Sequence, residues 1–357
     1  MDETALDDEA RRAPACALVI FGASGDLTER KLLPAIRQLA AHHRLGPEFA
    51  LVGVARTAMS DEEWAGRCQA AETSKTTFRY ISGGYDDPDT YQRLSEVLAD
   101  CDRALGTKGQ HVFYLATPPR LFGTIAVQLG RSGLNGSAAG DWPRLVIEKP
   151  FGWDEASARS LYADISASFT ESQIYRIDHY LAKDTVQNVL ALRFSNSLFE
   201  PVWNRNLVES ILITAAEEEG IGTRAGYYDH IGAVRDMIQN HVLQLLALVT
   251  MEPPITFDAE YIRRAKHLAL RSMSPLDPAS AVRGQYEGYL DEEGVSPDSR
   301  RETYAAARIS IENWRWDGVP IFVRTGKALK RRATEIVIKL RDAPSLRVGG
   351  RRQRGIP

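Results

Sequence analysis

The chain has 357 residues, a net charge of −3, 44% hydrophobic residues and 25% charged residues. That length exceeds what one hydrophobic core usually serves, so two domains are expected, and the composition is that of a soluble globular protein. The slightly acidic balance excludes a global attraction to nucleic acid or to an anionic membrane, so any phosphate binding must come from local basic clusters. Cys16, Cys68 and Cys101 lie far apart with no CxxC pair. This suggests neither a zinc site nor a disulfide framework, and reduced thiols in a cytoplasmic protein fit best. The acidic start, Met1 to Ala10, lacks the basic region and apolar core of a signal peptide. The longest apolar stretch, near Val242 to Val249, is too short to span a bilayer.

Residues 1–14 carry five acidic residues ahead of Arg11 and few large apolar ones, and are expected to form a loose tail. From Ala15 the pattern is β-α-β: Ala17 to Phe21 as a buried strand, Leu27 to His43 as a helix, Ala50 to Val54 as a second strand. His111 to Ala116 reads as a strand, Leu121 to Arg131 as a helix and Arg144 to Glu148 as another strand. Strands alternating with helices imply a parallel sheet with crossover helices, a Rossmann-type α/β domain over residues 15–180. The rhythm then changes. Lys183 to Leu192 reads as a helix, Val208 to Ala215 as a strand, and Ala225 to Val249 as one long helix with apolar positions at Ile231, Val234, Ile238, Val242 and Leu245. Residues 274–300, with their Pro, Gly, Ser and acidic residues, are expected to be an exposed connection. Tyr304 to Ile311, Ile321 to Arg324 and Glu335 to Leu340 read as strands. Residues 181–342 are therefore expected to be an α+β domain with a large mixed, mainly antiparallel sheet.

The first strand runs into Gly22-Ala23-Ser24-Gly25-Asp26-Leu27 and then a helix. Glycines at a strand-to-helix turn let the backbone approach a pyrophosphate, and the helix N-terminus adds free N–H groups and a favourable dipole. The match to G-x-G-x-x-G is imperfect, since Ser24 takes the place of the middle glycine. Alone it fits a ligand-free tight turn equally well; its place after the first strand of an α/β unit favours a nucleotide. The second strand ends Val54-Ala55-Arg56-Thr57, with an arginine where an NAD site usually carries Asp or Glu, which suits the 2′-phosphate of NADP.

Glu148-Lys149-Pro150-Phe151-Gly152 follows a parallel strand whose C-terminal end faces the ligand crevice, so Lys149 is expected to reach toward cofactor and substrate. Arg176-Ile177-Asp178-His179-Tyr180-Leu181-Ala182-Lys183 offers a carboxylate, an imidazole, a phenol and an ammonium in one short segment. His179, Tyr180 and Lys183 can all donate hydrogen bonds to a phosphate. His179 and Lys183 share one face if a helix starts here. A polar helix start explains the composition too.

These segments, together with Asp236-Met237-Ile238-Gln239-Asn240-His241, stand in the order and spacing of the glucose-6-phosphate dehydrogenase family, which the chain resembles from about Cys16 to Arg341. The Asp-His-Tyr-Leu-x-Lys run is its most specific mark; Ala182 stands where glycine is usual. The resemblance implies oxidation of glucose 6-phosphate to 6-phosphogluconolactone with reduction of NADP, the first step of the oxidative pentose phosphate pathway, and no metal. It implies that His241 takes the proton from the sugar O1 and that Asp178 orients the imidazole. It makes His179, Tyr180 and Lys183 phosphate ligands, Lys149 a link between substrate and nicotinamide, and Glu217 and Asp236 partners of sugar hydroxyls. Lys327 and Arg332 become the basic residues closing over the sugar phosphate. It also implies a dimer or tetramer and a cis Lys149–Pro150 bond.

The chemistry is consistent by itself. Hydride leaves C1 only as the O1 proton is removed, which calls for a base titrating near neutrality, and histidine is that residue type. A packed core histidine is the usual alternative for one on an apolar helix face. The basic run Arg324, Lys327, Lys330, Arg331, Arg332, Lys339 and Arg341 lacks interleaved aromatics, so nucleic-acid stacking is not supported. Another sugar dehydrogenase with the same turn and E-K-P, or a non-catalytic remnant that binds nucleotide or a partner subunit, are the rival readings. Relatives are expected to continue well past the end of this chain, and residues 343–357 show hardly any apolar periodicity and read as a tail. The chain alone is accordingly expected to be marginally stable, prone to aggregate and weakly active or inactive, with its cofactor domain still folding.

Overall fold

The computed structural model describes residues 12–342, apart from 47, 69–75, 137–139 and 141, together with the pairs 347–348 and 351–352. The expected tails therefore fall largely outside the described residues. Residues 12 and 13 do not behave as a tail: Arg12 Nε donates to Leu45 O at 3.0 Å and Ala13 N to Arg44 O at 2.8 Å. Arg347–Val348 pairs antiparallel with Arg351–Arg352. The chain divides into two compact units, Met1–Ile177 and Asp178–Pro357.

The first unit is a six-stranded, wholly parallel sheet in the order β3-β2-β1-β4-β5-β6. Its strands are β1 (Cys16–Phe21), β2 (Phe49–Ala55), β3 (Thr77–Ser82), β4 (His111–Leu115), β5 (Arg144–Glu148) and β6 (Ile174–Ile177). Alternate residues serve opposite faces. Val19, Phe21, Val52, Val54, Phe113 and Leu115 pack against the helices α3 (Pro88–Leu105), α4 (Phe122–Arg131) and α5 (Glu155–Ser166). Ile20 and Leu51 pack with α1 (Leu33–Ala41) and α2 (Asp61–Cys68) through Leu33, Ile36 and Trp64. Helix α3 illustrates the local logic: Asp87 caps its start by accepting from Asp89 N at 3.1 Å, Pro88 takes the first position, and Tyr91, Leu94, Leu98, Cys101 and Leu105 form its buried stripe. The helix expected from Leu27 begins as a π-helical segment, Thr28–Leu32, and continues as α1.

The three cysteines are buried, and burial pushes their thiols up, to about 11 for Cys16 and Cys101 and about 12 for Cys68. The native protein at pH 8 is therefore expected to give no fast reaction with an aromatic disulfide reagent, and three thiols per chain in denaturant. A thiol titrating rapidly in the native state would contradict this burial.

The second unit holds a five-stranded mixed sheet in the order β11-β7-β10-β9-β8. The strands are β7 (Val208–Ala216), β8 (Ala281–Gly284), β9 (Tyr304–Ile309), β10 (Ile321–Gly326) and β11 (Ala333–Leu340). Only the β10–β7 pair is parallel. One face, with Ile211, Ile213, Ala305, Ala307, Ile321 and Val323, packs on Met237, Ile238, Val242, Leu245 and Leu246. Other residues, Val282, Phe322 and Val337 among them, remain exposed. Helices α6 (Asp184–Phe194) and α9 (Ala259–Arg271) complete the unit with the segments below.

The single helix expected over Ala225 to Val249 is not formed. It is α7 (Ala225–Ala233), a π-helix (Val234–Val242) and α8 (Leu243–Thr250). Gly232 makes the break at φ 75° and ψ 170°, and a Cβ there would lie 2.6 Å from the Glu302 carboxylate. Glu302 covers the restart, accepting from Val234 N at 3.2 Å through its side chain and from Ala233 N at 2.9 Å through its carbonyl. The far end of α8 is closed by buried donors: Arg193 to Leu248 O and Met251 O, Trp203 to Val249 O and Trp316 to Thr250 O, all at 2.8–2.9 Å. The expected exposed connection 274–300 is also more ordered than its composition suggests. It contributes β8, and Tyr289 is buried among Ile221, Ala225 and Tyr228, its hydroxyl donating to Asp229 Oδ1 at 2.8 Å.

Candidate active site and nucleotide cavity

In the second unit the site starts at Asp178, the residue after β6. Residues 178–183 form a turn, with Leu181 N donating to Asp178 O and Lys183 N to Tyr180 O, and α6 begins only at Asp184. His179 and Lys183 are thus not on one helix face, which corrects the expectation. Competition from the Asp178 side chain gives the reason, since it accepts from Tyr180 N at 2.9 Å and so favours the turn.

The same carboxylate oxygen lies 2.6 Å from His241 Nδ1. With Nδ1–H donating to Asp178, the neutral imidazole carries its acceptor lone pair on Nε2. His241 and Asp236 are buried, and the π-helix brings these residues, five apart, toward one side. The Tyr180 ring stacks on the imidazole with centroids 4.1 Å apart, and Lys183 Nζ sits 3.5 Å from the Tyr180 centroid. Burial pushes the Tyr180 phenol up, with Glu217 adding to it, while Thr334 and Arg332 pull the other way. Burial and Arg332 lower the Lys183 ammonium against the pull of Glu217 and Asp178.

The sheet supplies the remaining charges. Because β7 and β10 run parallel and β11 antiparallel to β7, the ends of β7 and β10 and the start of β11 share an edge. Glu217, Lys327 and Arg332 stand there. Glu217 N donates to Gly326 O and Leu329 N to Glu217 O, both at 2.9 Å, and the buried Lys327 ammonium pairs with the Glu217 carboxylate. The rest of the basic run is elsewhere: Arg324 bonds Thr214, Lys339 pairs with Glu209 and Arg331 with Glu335. His179 is exposed. Sequence reasoning missed three neighbours. Tyr228 is fully buried beside Lys327, whose Nζ is 5.6 Å from its ring, and the Thr334 side chain lowers the Tyr180 phenol against the effect of burial. Lys266 feels the Asp178 carboxylate from within the buried stripe of α9 between Ala265 and Ala269. A lysine on an otherwise apolar stripe was a readable signal.

In the first unit, parallel strands place the ends of β1, β2, β4 and β5 on one edge. There Gly22, Ser24, Gly25, Arg56, Thr57, Tyr85, Asp86, Thr117 and Arg120 line a cavity of about 390 Å³. Gly22, at φ 89°, leaves no room for a side chain, since a Cβ would lie 2.4 Å from Ala116 O. Gly25 N and Thr28 Oγ1 both donate to Gly22 O, closing the turn, and Ser24 Oγ lies 3.0 Å from Thr57 Oγ1. Of the expected turn residues, Ala23 faces the core and Asp26 pairs with Arg30 at 2.6 Å, both outside the cavity lining, as is Leu27. The Thr117 hydroxyl is buried with no hydrogen-bond partner among the described residues, a polar group available to a ligand. Lys149 follows β5 at the same edge, and the Lys149–Pro150 bond is cis, as expected.

The family described as the NAD binding domain of glucose-6-phosphate dehydrogenase matches residues 19–188, and the family described as its C-terminal domain matches residues 190–354. The glucose-6-phosphate 1-dehydrogenase 2 of Mycobacterium tuberculosis is 45% identical over 363 residues, covering 94% of this chain and 70% of its own length. This chain belongs to the glucose-6-phosphate dehydrogenase family. The Bacillus subtilis glucose-6-phosphate 1-dehydrogenase is 41% identical, with coverage of 94% and 73%. A solved glucose-6-phosphate dehydrogenase in complex with its substrate glucose-6-phosphate superposes with a TM-score of 0.87 at 34% identity, over 96% of this chain and 75% of that one. The Mycobacterium avium glucose-6-phosphate 1-dehydrogenase gives 0.83 at 37%, over 95% and 76%. With both halves of the family matched, neither the other-sugar reading nor the non-catalytic one is favoured. Among the described residues no cluster of His, Cys, Asp or Glu could hold a metal, and no helix is long and apolar enough to cross a membrane.

Proposed function

We propose that this protein is an NADP-dependent glucose-6-phosphate dehydrogenase, oxidising C1 of the sugar to the 6-phosphogluconolactone. The observation that carries the reading is the Asp178–His241 pair at 2.6 Å under the stacked Tyr180 ring. Nε2 of His241 accepts the O1 proton, and the Asp178 carboxylate stabilises the imidazolium so formed. Glu217 and Asp236 accept from sugar hydroxyls. His179, Tyr180, Lys183, Lys327 and Arg332 hold the 6-phosphate, and Lys149 orients the reacting end of the sugar. Lys327 is already paired with Glu217, so phosphate binding must compete for that ammonium.

Gly22, Ser24, Gly25 and Thr117 would receive the NADP phosphates, with Arg56 at the 2′-phosphate. When bound, its nicotinamide supplies the acceptor for the C1 hydride. The same family reading makes the protein a cytoplasmic homo-oligomer.

The direct test is NADPH absorbance with glucose 6-phosphate, set against unphosphorylated glucose. Slow turnover confined to the phosphorylated sugar is expected of this chain; no turnover, or equal turnover of both, would remove the reading. A second expectation concerns cofactor choice. Arg56→Ala should raise KM for NADP about tenfold or more while leaving NAD nearly unchanged, because only NADP carries the extra charge. Equal loss for both would show that Arg56 does not read the 2′ position.

A further inference from the structure

The cavity of the first unit holds a second guanidinium, Arg120, which the sequence reading did not single out. It stands in a short 3₁₀ turn, Pro119–Leu121, between the end of β4 and α4, and is exposed on the cavity lining. It makes no ion pair with a described residue. We propose that Arg120 binds the phosphate chain that NAD and NADP share, while Arg56 deals with the 2′-phosphate alone; this rests on the reading of the cavity as the NADP site.

The strand order assigns the division of labour. The order β3-β2-β1-β4-β5-β6 reverses direction between β1 and β4, and ligands of such sheets lie in the crevice that opens there. The Gly22–Gly25 turn leaves β1 into that crevice, and the loop after β4 forms its other side, bringing Thr117 with its unpartnered hydroxyl and Arg120. A pyrophosphate over the turn therefore meets Arg120. Arg56 follows β2, on the opposite side of β1, where the adenosine ribose of a bound dinucleotide lies. The charges agree: Asp86 also lines the cavity, so Arg56 alone would leave the lining neutral, and Arg120 makes it positive, as a ligand with a doubly charged phosphate chain requires.

The experiment is calorimetric titration of wild type, Arg120→Leu and Arg56→Ala with NADP, NAD and adenosine 2′-monophosphate, at two salt concentrations. Thermal unfolding of each variant confirms that it is folded, and Arg120→Lys tests whether charge alone suffices. Arg120→Leu should weaken NADP and NAD by similar factors, on the order of tenfold and more at low salt, and leave adenosine 2′-monophosphate unchanged. Arg56→Ala should weaken NADP and adenosine 2′-monophosphate and spare NAD. Unchanged dinucleotide affinity in a folded Arg120→Leu, or a loss confined to the 2′-phosphorylated ligands, would overturn the assignment of Arg120. A wild type that binds neither dinucleotide would overturn the NADP reading itself, and the assignment with it.

Discussion

Replacing His241 by asparagine is expected to lower kcat by about a thousandfold while leaving the affinity for glucose 6-phosphate within about twofold. Asparagine keeps a side-chain donor in reach of Asp178 and preserves most of the packing under Tyr180, so the variant isolates the loss of a proton acceptor. The imidazole is buried, with Asp178 at 2.6 Å on Nδ1 and the Tyr180 ring on its face, and in the proposed reaction it acts when the O1 proton moves. The cost should therefore fall on the step in which the proton moves. Steady-state kinetics combined with direct titration of the sugar phosphate separates the two. Near-normal kcat in this variant would take His241 out of the chemistry and leave it as a core histidine. Asp178→Asn should follow the same direction, because the amide removes the charge that stabilises the imidazolium.

The second large effect belongs to Gly22. Alanine there faces two penalties together: a backbone at φ 89°, and a Cβ 2.4 Å from Ala116 O and 2.8 Å from Ala116 C. The obstacle is backbone in the neighbouring strand segment, which cannot swing aside as a side chain can. We expect a loss of about 3 kcal/mol or more in the stability of the first unit. Nucleotide affinity should fall with it, as the turn and the β4 loop are forced apart. Gly106→Ala is the control. Its φ of 68° is also left-handed, but nothing lies within 4 Å of the added Cβ, so only about 1 kcal/mol is expected. Denaturant unfolding of both variants, with NADP titration, provides the comparison. Equal stability of the two would show that the close approach at Ala116 carries no energetic weight.

Much of the architecture was readable from the order of residues. Apolar runs such as Phe49–Ala55, followed by amphipathic stretches and turn glycines, specify a parallel sheet because only that arrangement buries both faces of each strand. The Gly22 turn, the Glu148-Lys149-Pro150 segment and the Asp178–Lys183 run stood out as local clusters of residue types, and their shared order in the family resemblance favoured a functional reading over a structural one. What stayed hidden depends on partners distant in sequence. Gly232 reads as a tolerated helix glycine until Glu302, seventy residues on, occupies the space where its Cβ would go. Tyr289 reads as part of an exposed connection until Asp229 and Tyr228 are folded beside it. The basic run from Arg324 to Arg341 looks continuous, yet strand register sends Lys327 and Arg332 to one edge and pairs Arg324, Arg331 and Lys339 with other residues.

Sequence alone therefore determined the fold class, because strand and helix periodicity state it; the nucleotide turn and the pairing of His241 with Asp178 were expectations carried by short motifs and the family resemblance. Tertiary structure decided how those groups meet. It set the π-helical register that brings Asp236 and His241 toward one side, the stacking of Tyr180 on the imidazole, the Lys327–Glu217 pair at a shared strand edge, and the place of Arg120 beside the glycine turn. Apart from the helical register, each of these is a contact between segments far apart in the chain, fixed by packing and strand order, on which local propensity carries no information.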